Sequence, residues 1–107
     1  MTDRLISAPG ATLHTLDEGS GPPIVLLHAG IADLRAWDAL VPHLTAAGYR
    51  AIRYDMRGFG RTVTEDVPFS NRADVIAVMD ACGVGRAAVV GNSRGGMVTF
   101  DTAIEFP

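Results

Sequence analysis

The sequence predicts an α/β domain with a doubly wound, mainly parallel sheet. Residues 24–27 and 87–90 are unalternating apolar runs, which are typical of strands buried on both faces of a parallel sheet. Residues 50–54 form a further strand between them, and segments with helical spacing separate the three. Strands that alternate with helices in this way imply parallel βαβ units with helices on both faces.

Composition and charge narrow the classes of function. Net charge is −3 and no run of basic residues occurs, which argues against nucleic acid and an anionic membrane surface as partners. All nine basic residues are arginine, so the sequence has no Walker A loop, Schiff-base lysine or S-x-x-K site. The single cysteine, Cys82, allows no internal disulfide or metal cluster, and we expect it to be an inert core residue. We expect no metal and no cofactor. No secretory signal or membrane-length apolar run is visible, so a cytoplasmic protein is expected.

Local signals place the other elements. Residues 5–7 and 11–16 are predicted as two short strands joined by a turn at Pro9 and Gly10. Helix boundaries are marked by polar caps, by a proline in the first turn and by terminating glycines: Asp33, Ser70, Pro42, Gly48 and Gly83. An apolar stripe at helical spacing follows the last strand and contains Met97, Phe100, Ala103 and Ile104.

The bend between the last strand and the last helix carries the strongest chemical signal. It contains G-x-S-x-G at residues 91–95, and a strand, sharp turn and helix around this sequence are typical of a nucleophile elbow. If Ser93 occupies a strained conformation at the bend, strand and helix converge beneath it. A Cβ atom at Gly91 or Gly95 would then collide, so glycine is needed at both positions. The strain would hold the Ser93 hydroxyl clear of the backbone, beside the helix N-terminus.

Three motifs in register resemble those of the α/β-hydrolase family. They are Leu26-Leu27-His28-Ala29-Gly30 followed by Trp37, then Asp55-x-Arg57-Gly58-x-Gly60, then Gly91-x-Ser93-x-Gly95-Gly96. The resemblance runs from about Leu13 to the last residue. It implies the N-terminal part of the α/β-hydrolase fold, through the nucleophile elbow, with residues 1–107 as a single partial domain of five strands.

The resemblance also implies roles for individual residues. Ser93 would be the nucleophile that attacks a carbonyl carbon and forms an acyl-enzyme. The backbone N–H groups of Arg94 and Gly30 would form the oxyanion hole. His28 and Asp55 would support the loops. The implied function is that of a serine hydrolase acting on an ester, lactone or similar acyl bond of a small molecule.

Structural interpretations compete with these roles. Ser93 would otherwise be a simple turn serine. For His28, bracing the oxyanion loop is favoured over acting as a base, because the residue lies within that loop. The Arg94 side chain either meets a carboxylate of the substrate or faces solvent. His14, placed on an edge strand, and His43, placed on an amphipathic helix, are both expected to be solvated.

Part of the machinery implied by the resemblance is missing from these residues. In this fold the triad order is Ser, then Asp or Glu, then His, and no histidine follows Ser93. Asp101 and Glu105 lie on the predicted elbow helix, away from the strand ends. Since loss of the triad histidine cost another serine hydrolase about 10⁶ in kcat, the chain alone is expected to be close to inactive.

Three explanations stay open. The chain is the N-terminal part of a longer hydrolase, which its end after the elbow helix favours; or a second polypeptide supplies the acid and the histidine; or the chain is an inactive binding or interaction module that keeps half the fold. In the 107-residue chain alone, the strand at residues 87–90 is expected to have an unpaired apolar edge. We expect self-association through that edge, or binding of a complementary chain.

Overall fold

A computed structural model describes residues 2–107. Its strands are β1 (Thr2–Ala8), β2 (Ala11–Glu18), β3 (Pro23–Leu27), β4 (Arg50–Tyr54), β5 (Val63–Thr64) and β6 (Ala88–Gly91). Its helices are α1 (Val41–Ala46), α2 (Asn71–Ala81) and α3 (Arg94–Glu105), with a 3₁₀ turn at Leu34–Trp37. β4 has the predicted bounds at both ends, and the other predicted strands shift or lengthen by one to three residues.

The strands form one sheet in the order β1-β2-β4-β3-β6, and the short β5 pairs with β2. β3 pairs in parallel with both β4 and β6, whereas β2 is antiparallel to β1, β4 and β5. The predicted α/β class is confirmed, and the sheet is mixed because of β2. The sequence does not predict β5, because a strand of two residues is too short to show a period.

Helices cover both faces of the sheet. Val25 and Leu27 of β3 belong to one apolar cluster with Val75 of α2 and Val98 of α3. Leu26 lies between them in sequence and joins a second cluster with Val41 of α1. Because successive side chains of a strand point to opposite faces, helices on both sides account for the unalternating apolar run of β3.

Helix ends follow the local signals. The carboxylate of Asp33 accepts a hydrogen bond from the Arg35 backbone N–H, and the Ser70 hydroxyl accepts one from Ala73 N–H at 3.3 Å. Gly83 ends α2 with a φ of 71°. Cys82 is buried there, and burial raises the pKa of its thiol, which therefore stays protonated. No helix among residues 2–107 has the length and apolarity needed to cross a bilayer.

The environment of His14 differs from the prediction. β2 lies between β1 and β4, not at the sheet edge, and His14 is only 8% exposed. Its Nε2 lies 3.1 Å from Asp3 Oδ1, and its Nδ1 lies 3.2 Å from Asp55 Oδ2. The prediction of a solvated histidine on an edge strand is wrong, because β1 covers the outer side of β2. His43 is exposed on α1, as expected.

The last strand and helix are less covered than the rest of the fold. α3 buries Gly95, Val98 and Thr102 against the sheet. Its apolar stripe points outwards, with exposed fractions of 70% for Met97, 74% for Phe100 and 80% for Ile104. β6 pairs with β3 on one side and, within the described residues, has no strand on the other.

Candidate active site

Three loops meet at the carboxyl edge of the parallel strands. They follow β3, β4 and β6 and cover residues 28–33, 55–62 and 92–93. β3 lies between β4 and β6, so the loop after β3 is central. Because ligands of open α/β sheets bind at the carboxyl ends of the strands, this edge is the candidate site.

Ser93 occupies a strained backbone conformation at the bend between β6 and α3. Its φ is 56° and its ψ is −113°, and no other non-glycine residue among residues 2–107 has a positive φ. Such a conformation costs about 1–3 kcal/mol and persists only where the surroundings impose it. Although Ser93 precedes a helix, its hydroxyl does not cap that helix. The side chain is exposed at the sheet edge with its oxygen available.

Two glycines allow strand and helix to converge beneath Ser93. A Cβ atom on Gly91 would lie 2.1 Å from the carbonyl oxygen of Gly95. A Cβ atom on Gly95 would lie 2.2 Å from the carbonyl oxygen of Leu27 in β3. Both neighbours are backbone atoms that cannot turn aside. The steric reason predicted for these glycines is therefore present in the structure.

One of the two expected oxyanion donors lies at the start of α3 and the other in the loop after β3. Arg94 is the first residue of α3, and Gly30 lies in the loop after β3. Within the described part of the chain, neither backbone N–H has a hydrogen-bond acceptor. The Arg94 side chain packs on Gly30, where an added Cβ would lie 3.0 Å from Arg94 Nε. The start of α3, directly after Ser93, is thus in contact with the loop after β3.

His28 is completely buried and joins the loops after β3 and β4. The backbone N–H of Met56 donates to its Nε2 at 3.0 Å, and its Nδ1 lies 2.7 Å from the carbonyl oxygen of Ala29. An Nε2 that accepts and an Nδ1 that donates define a neutral imidazole. Phe59 packs edge-on against the ring, with centroids 5.1 Å apart. Both nitrogens are engaged within the protein, so neither can take a proton from Ser93.

Asp55 connects the same two loops through its carboxylate. Oδ1 accepts from the backbone N–H of Leu34 and Oδ2 from that of Arg61, both at 2.8 Å. A Cβ atom on Gly60 would lie 2.2 Å from Asp55 Oδ2, so the loop can close around the carboxylate only with glycine there. His14 Nδ1 is a third neighbour of this carboxylate. Asp55 therefore fixes the spacing between the loops after β3 and β4.

A family model described as the alpha/beta hydrolase fold matches residues 22–107. This chain belongs to the α/β-hydrolase fold family. The β3, β4 and β6 loops described above lie within the matched residues.

Individual relatives are hydrolases with several names. An epoxide hydrolase of Caballeronia sordidicola is 30% identical over 107 residues, which cover 95% of this chain and 32% of the relative. A 2-hydroxy-6-oxo-6-phenylhexa-2,4-dienoate hydrolase of Burkholderia cepacia is 33% identical over 102 residues, covering 89% and 36%. The crystal structure of epoxide hydrolase VrEH1 from Vigna radiata superposes with a TM-score of 0.92 at 26% identity, covering 99% of this chain and 35% of that one. The chain thus spans about a third of the length of these relatives.

Near these loops, two long-range pairs cannot be predicted from the sequence. Arg57 and Asp74 form a buried, two-fold hydrogen-bonded ion pair with distances of 2.7 and 3.0 Å, which ties the loop after β4 to α2. His14 contacts Asp55 although the two residues are 41 positions apart. Local patterns carry no signal for such pairs, since only the fold brings the partners together.

Arginine–carboxylate pairs lie around these loops. Hydrogen bonds from Arg35 lower the pKa of Asp33 to about 2, so Asp33 stays ionised in the loop after β3. A cavity of about 440 Å³ lies on the β1 and β2 side of this edge, lined by residues that include His14, Asp33 and Asp55. No group of three potential metal ligands is placed together within residues 2–107.

Proposed function

We propose that this chain carries the nucleophile and the oxyanion hole of a serine hydrolase that cleaves an ester, lactone or similar acyl bond. One observation carries the proposal: Ser93 is held with a positive φ at the start of α3, exposed and without a capping bond. A residue kept in such a conformation against its own preference points to a function of its side chain.

The proposed reaction begins with attack of Ser93 Oγ on the carbonyl carbon of the substrate. The carbonyl oxygen becomes an oxyanion, which the N–H groups of Gly30 and Arg94 stabilise. One such donor contributes roughly 3–4 kcal/mol to the transition state. The positive end of the α3 dipole acts in the same direction. The hydroxyl proton of Ser93 passes to a general base and from it to the departing leaving group, which gives an acyl-serine ester. Water then cleaves this ester to the carboxylic acid and regenerates Ser93.

Serine at the elbow favours a carbonyl substrate over an epoxide. If a serine oxygen opened an epoxide, the covalent product would be an ether, and water does not readily cleave an ether. Attack on a carbonyl gives an ester, from which water can regenerate Ser93. The Burkholderia cepacia relative is named for a 6-oxo compound, whereas other relatives are named for epoxides. The chemistry of Ser93 supports a carbonyl substrate for this chain.

The base and the acid are proposed to come from outside these 107 residues. His28 and His14 use their ring nitrogens within the protein, and His43 lies on α1, across the sheet from α3. Glu105 is paired with Arg72 on the surface. A complete triad would therefore need a further segment or a complementary chain, and the chain alone should turn over substrate very slowly.

Acylation by an activated ester tests the proposal. Incubation with p-nitrophenyl acetate, followed by peptide mapping, is expected to show acetyl on Ser93, and hydroxylamine should remove it because the bond is an ester. The Ser93→Ala chain is the control and should stay unmodified at this peptide. Equal acetylation of other serines, or none on Ser93 after long incubation, would favour the alternative of a non-catalytic binding module.

A further inference from the structure

Arg94 differs from most arginines of this chain in lacking an acidic partner. Six of the nine form ion pairs with Asp or Glu: Arg4, Arg35, Arg50, Arg53, Arg57 and Arg72. Within residues 2–107, no carboxylate lies within ion-pair distance of the Arg94 guanidinium. A cation on a chain with a net charge of −3 is therefore left without a counter-ion beside the proposed nucleophile.

The Arg94 side chain is also held in place by its neighbours. Its Cβ and Cδ would each lie 3.5 Å from a Cβ placed on Gly30, so its stem runs across the oxyanion loop. Its Cζ lies 5.8 Å from the centroid of the Phe59 ring, within the range of a cation–π contact. The side chain thus reaches from the start of α3 to the loops after β3 and β4. Arg94 is exposed at the residue directly after Ser93, and within residues 2–107 its guanidinium N–H groups have no hydrogen-bond acceptor.

We infer that Arg94 selects acyl substrates that carry a carboxylate close to the bond attacked by Ser93. This inference rests on the proposed function. The backbone of Arg94 is expected to bind the oxyanion, so its guanidinium lies at a limited distance from the reacting carbonyl. A planar guanidinium can bind a carboxylate through two parallel hydrogen bonds. Half-esters of dicarboxylic acids and keto acids combine a carboxylate and a carbonyl in this way.

A pair of matched esters tests the inference. The second-order rate constant for acylation of Ser93 is measured with p-nitrophenyl hydrogen glutarate and with p-nitrophenyl methyl glutarate, and the background of Ser93→Ala is subtracted. The two esters differ only in the carboxylate. The ratio of their rate constants cancels any general effect on Ser93 or on folding. For Arg94→Met we expect this ratio to fall about 10- to 100-fold, the usual contribution of a charge-assisted hydrogen-bond pair.

Arg86→Met is the matched control. Arg86 also lacks an ion pair within the described residues, but it lies before the first residue of β6, whereas Ser93 lies after the last. Its ratio should equal that of the unmodified chain, and Arg94→Lys should keep part of the preference. An unchanged ratio in Arg94→Met, with both esters still acylating Ser93, would overturn the inference and leave the proposed function intact. Failure of both esters to acylate Ser93 in the unmodified chain would overturn both.

Discussion

Ser70 and Ser93 each lie immediately before a helix, but their hydroxyl groups are used in opposite ways. Ser70 is extended, with φ of −129° and ψ of 122°, and its hydroxyl accepts a hydrogen bond from Ala73 N–H in α2. Ser93 has φ of 56° and ψ of −113°, and its hydroxyl makes no capping bond in α3. One serine stabilises its helix, and the other keeps its oxygen available.

The two serines also differ in their contribution to the stability of the fold. A serine cap contributes about 1 kcal/mol to helix stability. Ser93 lacks this contribution and adds a strain of about 1–3 kcal/mol. The strain persists because Gly91 and Gly95 let β6 and α3 approach until other conformations are excluded. The strained residue is thus the one whose hydroxyl takes part in the proposed reaction.

The helices after the two serines differ in coverage as well, and this difference predicts the largest effect. α2 buries Val75 and Val78, whereas α3 exposes Met97, Phe100 and Ile104 beside the unpaired side of β6. We expect the chain to self-associate at micromolar concentration, because exposed apolar side chains beside an unpaired strand edge favour association. Size-exclusion chromatography with light scattering measures the mass.

Phe100→Glu should shift that mass towards the monomer, because it places a charge within the exposed face of α3. Leu5→Glu is the control, since Leu5 is 72% exposed on β1 at the opposite side of the sheet. Equal effects of both substitutions would show that association does not use the β6 and α3 side. If the unsubstituted chain were a monomer with a sharp, cooperative unfolding transition, these residues would close their own core.

Gly95→Ala should have the largest effect on stability. The added Cβ would lie 2.2 Å from a backbone oxygen, so strand and helix must separate, at a cost of about 3 kcal/mol or more. Gly85→Ala is the matched control: its Cβ meets nothing within 4 Å, and a change of less than about 1 kcal/mol is expected. Denaturant titrations at one protein concentration compare the two. Similar midpoints would mean that the elbow is not held by this convergence.

Ser93→Gly should stabilise the fold by about 1 kcal/mol, because glycine relieves the strain at positive φ but adds flexibility to the unfolded chain. Ser93→Ala keeps a Cβ in the strained conformation and should give no such gain. The difference between the two variants, measured by the same titration, isolates the strain. A Gly variant no more stable than the Ala variant would show that Ser93 is relaxed.

Ser70→Ala is expected to destabilise the fold by about 1 kcal/mol, because α2 loses its cap. Ser70→Gly should lower the stability by only a few tenths of a kcal/mol, since glycine is tolerated at this position. The sign is thus opposite to that of glycine at Ser93. If glycine changed stability in the same direction at both serines, their assigned difference would be wrong.

Features with local signals could be predicted from the sequence, and features set by long-range pairing could not. The bounds of β4, the Ser70 cap and the need for glycine at Gly91 and Gly95 follow from nearby residues. His14 is buried because β1 pairs with the outer side of β2, and only the fold brings it into contact with Asp55. Likewise, periodicity shows that α3 has an apolar stripe. It does not show that a different side of the helix, the one with Val98, packs against the sheet.

Site-resolved labelling with a fluorophosphonate probe tests the central claim most directly. The chain has four serines, Ser7, Ser20, Ser70 and Ser93, so Ser70 is an internal control before a helix. Peptide mapping is expected to find the probe on Ser93, slowly because no histidine in these residues can deprotonate it, and not on Ser70. The Ser93→Ala chain should remain unlabelled. Equal labelling of that variant, or label spread evenly over all four serines, would contradict the assignment of Ser93 as the nucleophile.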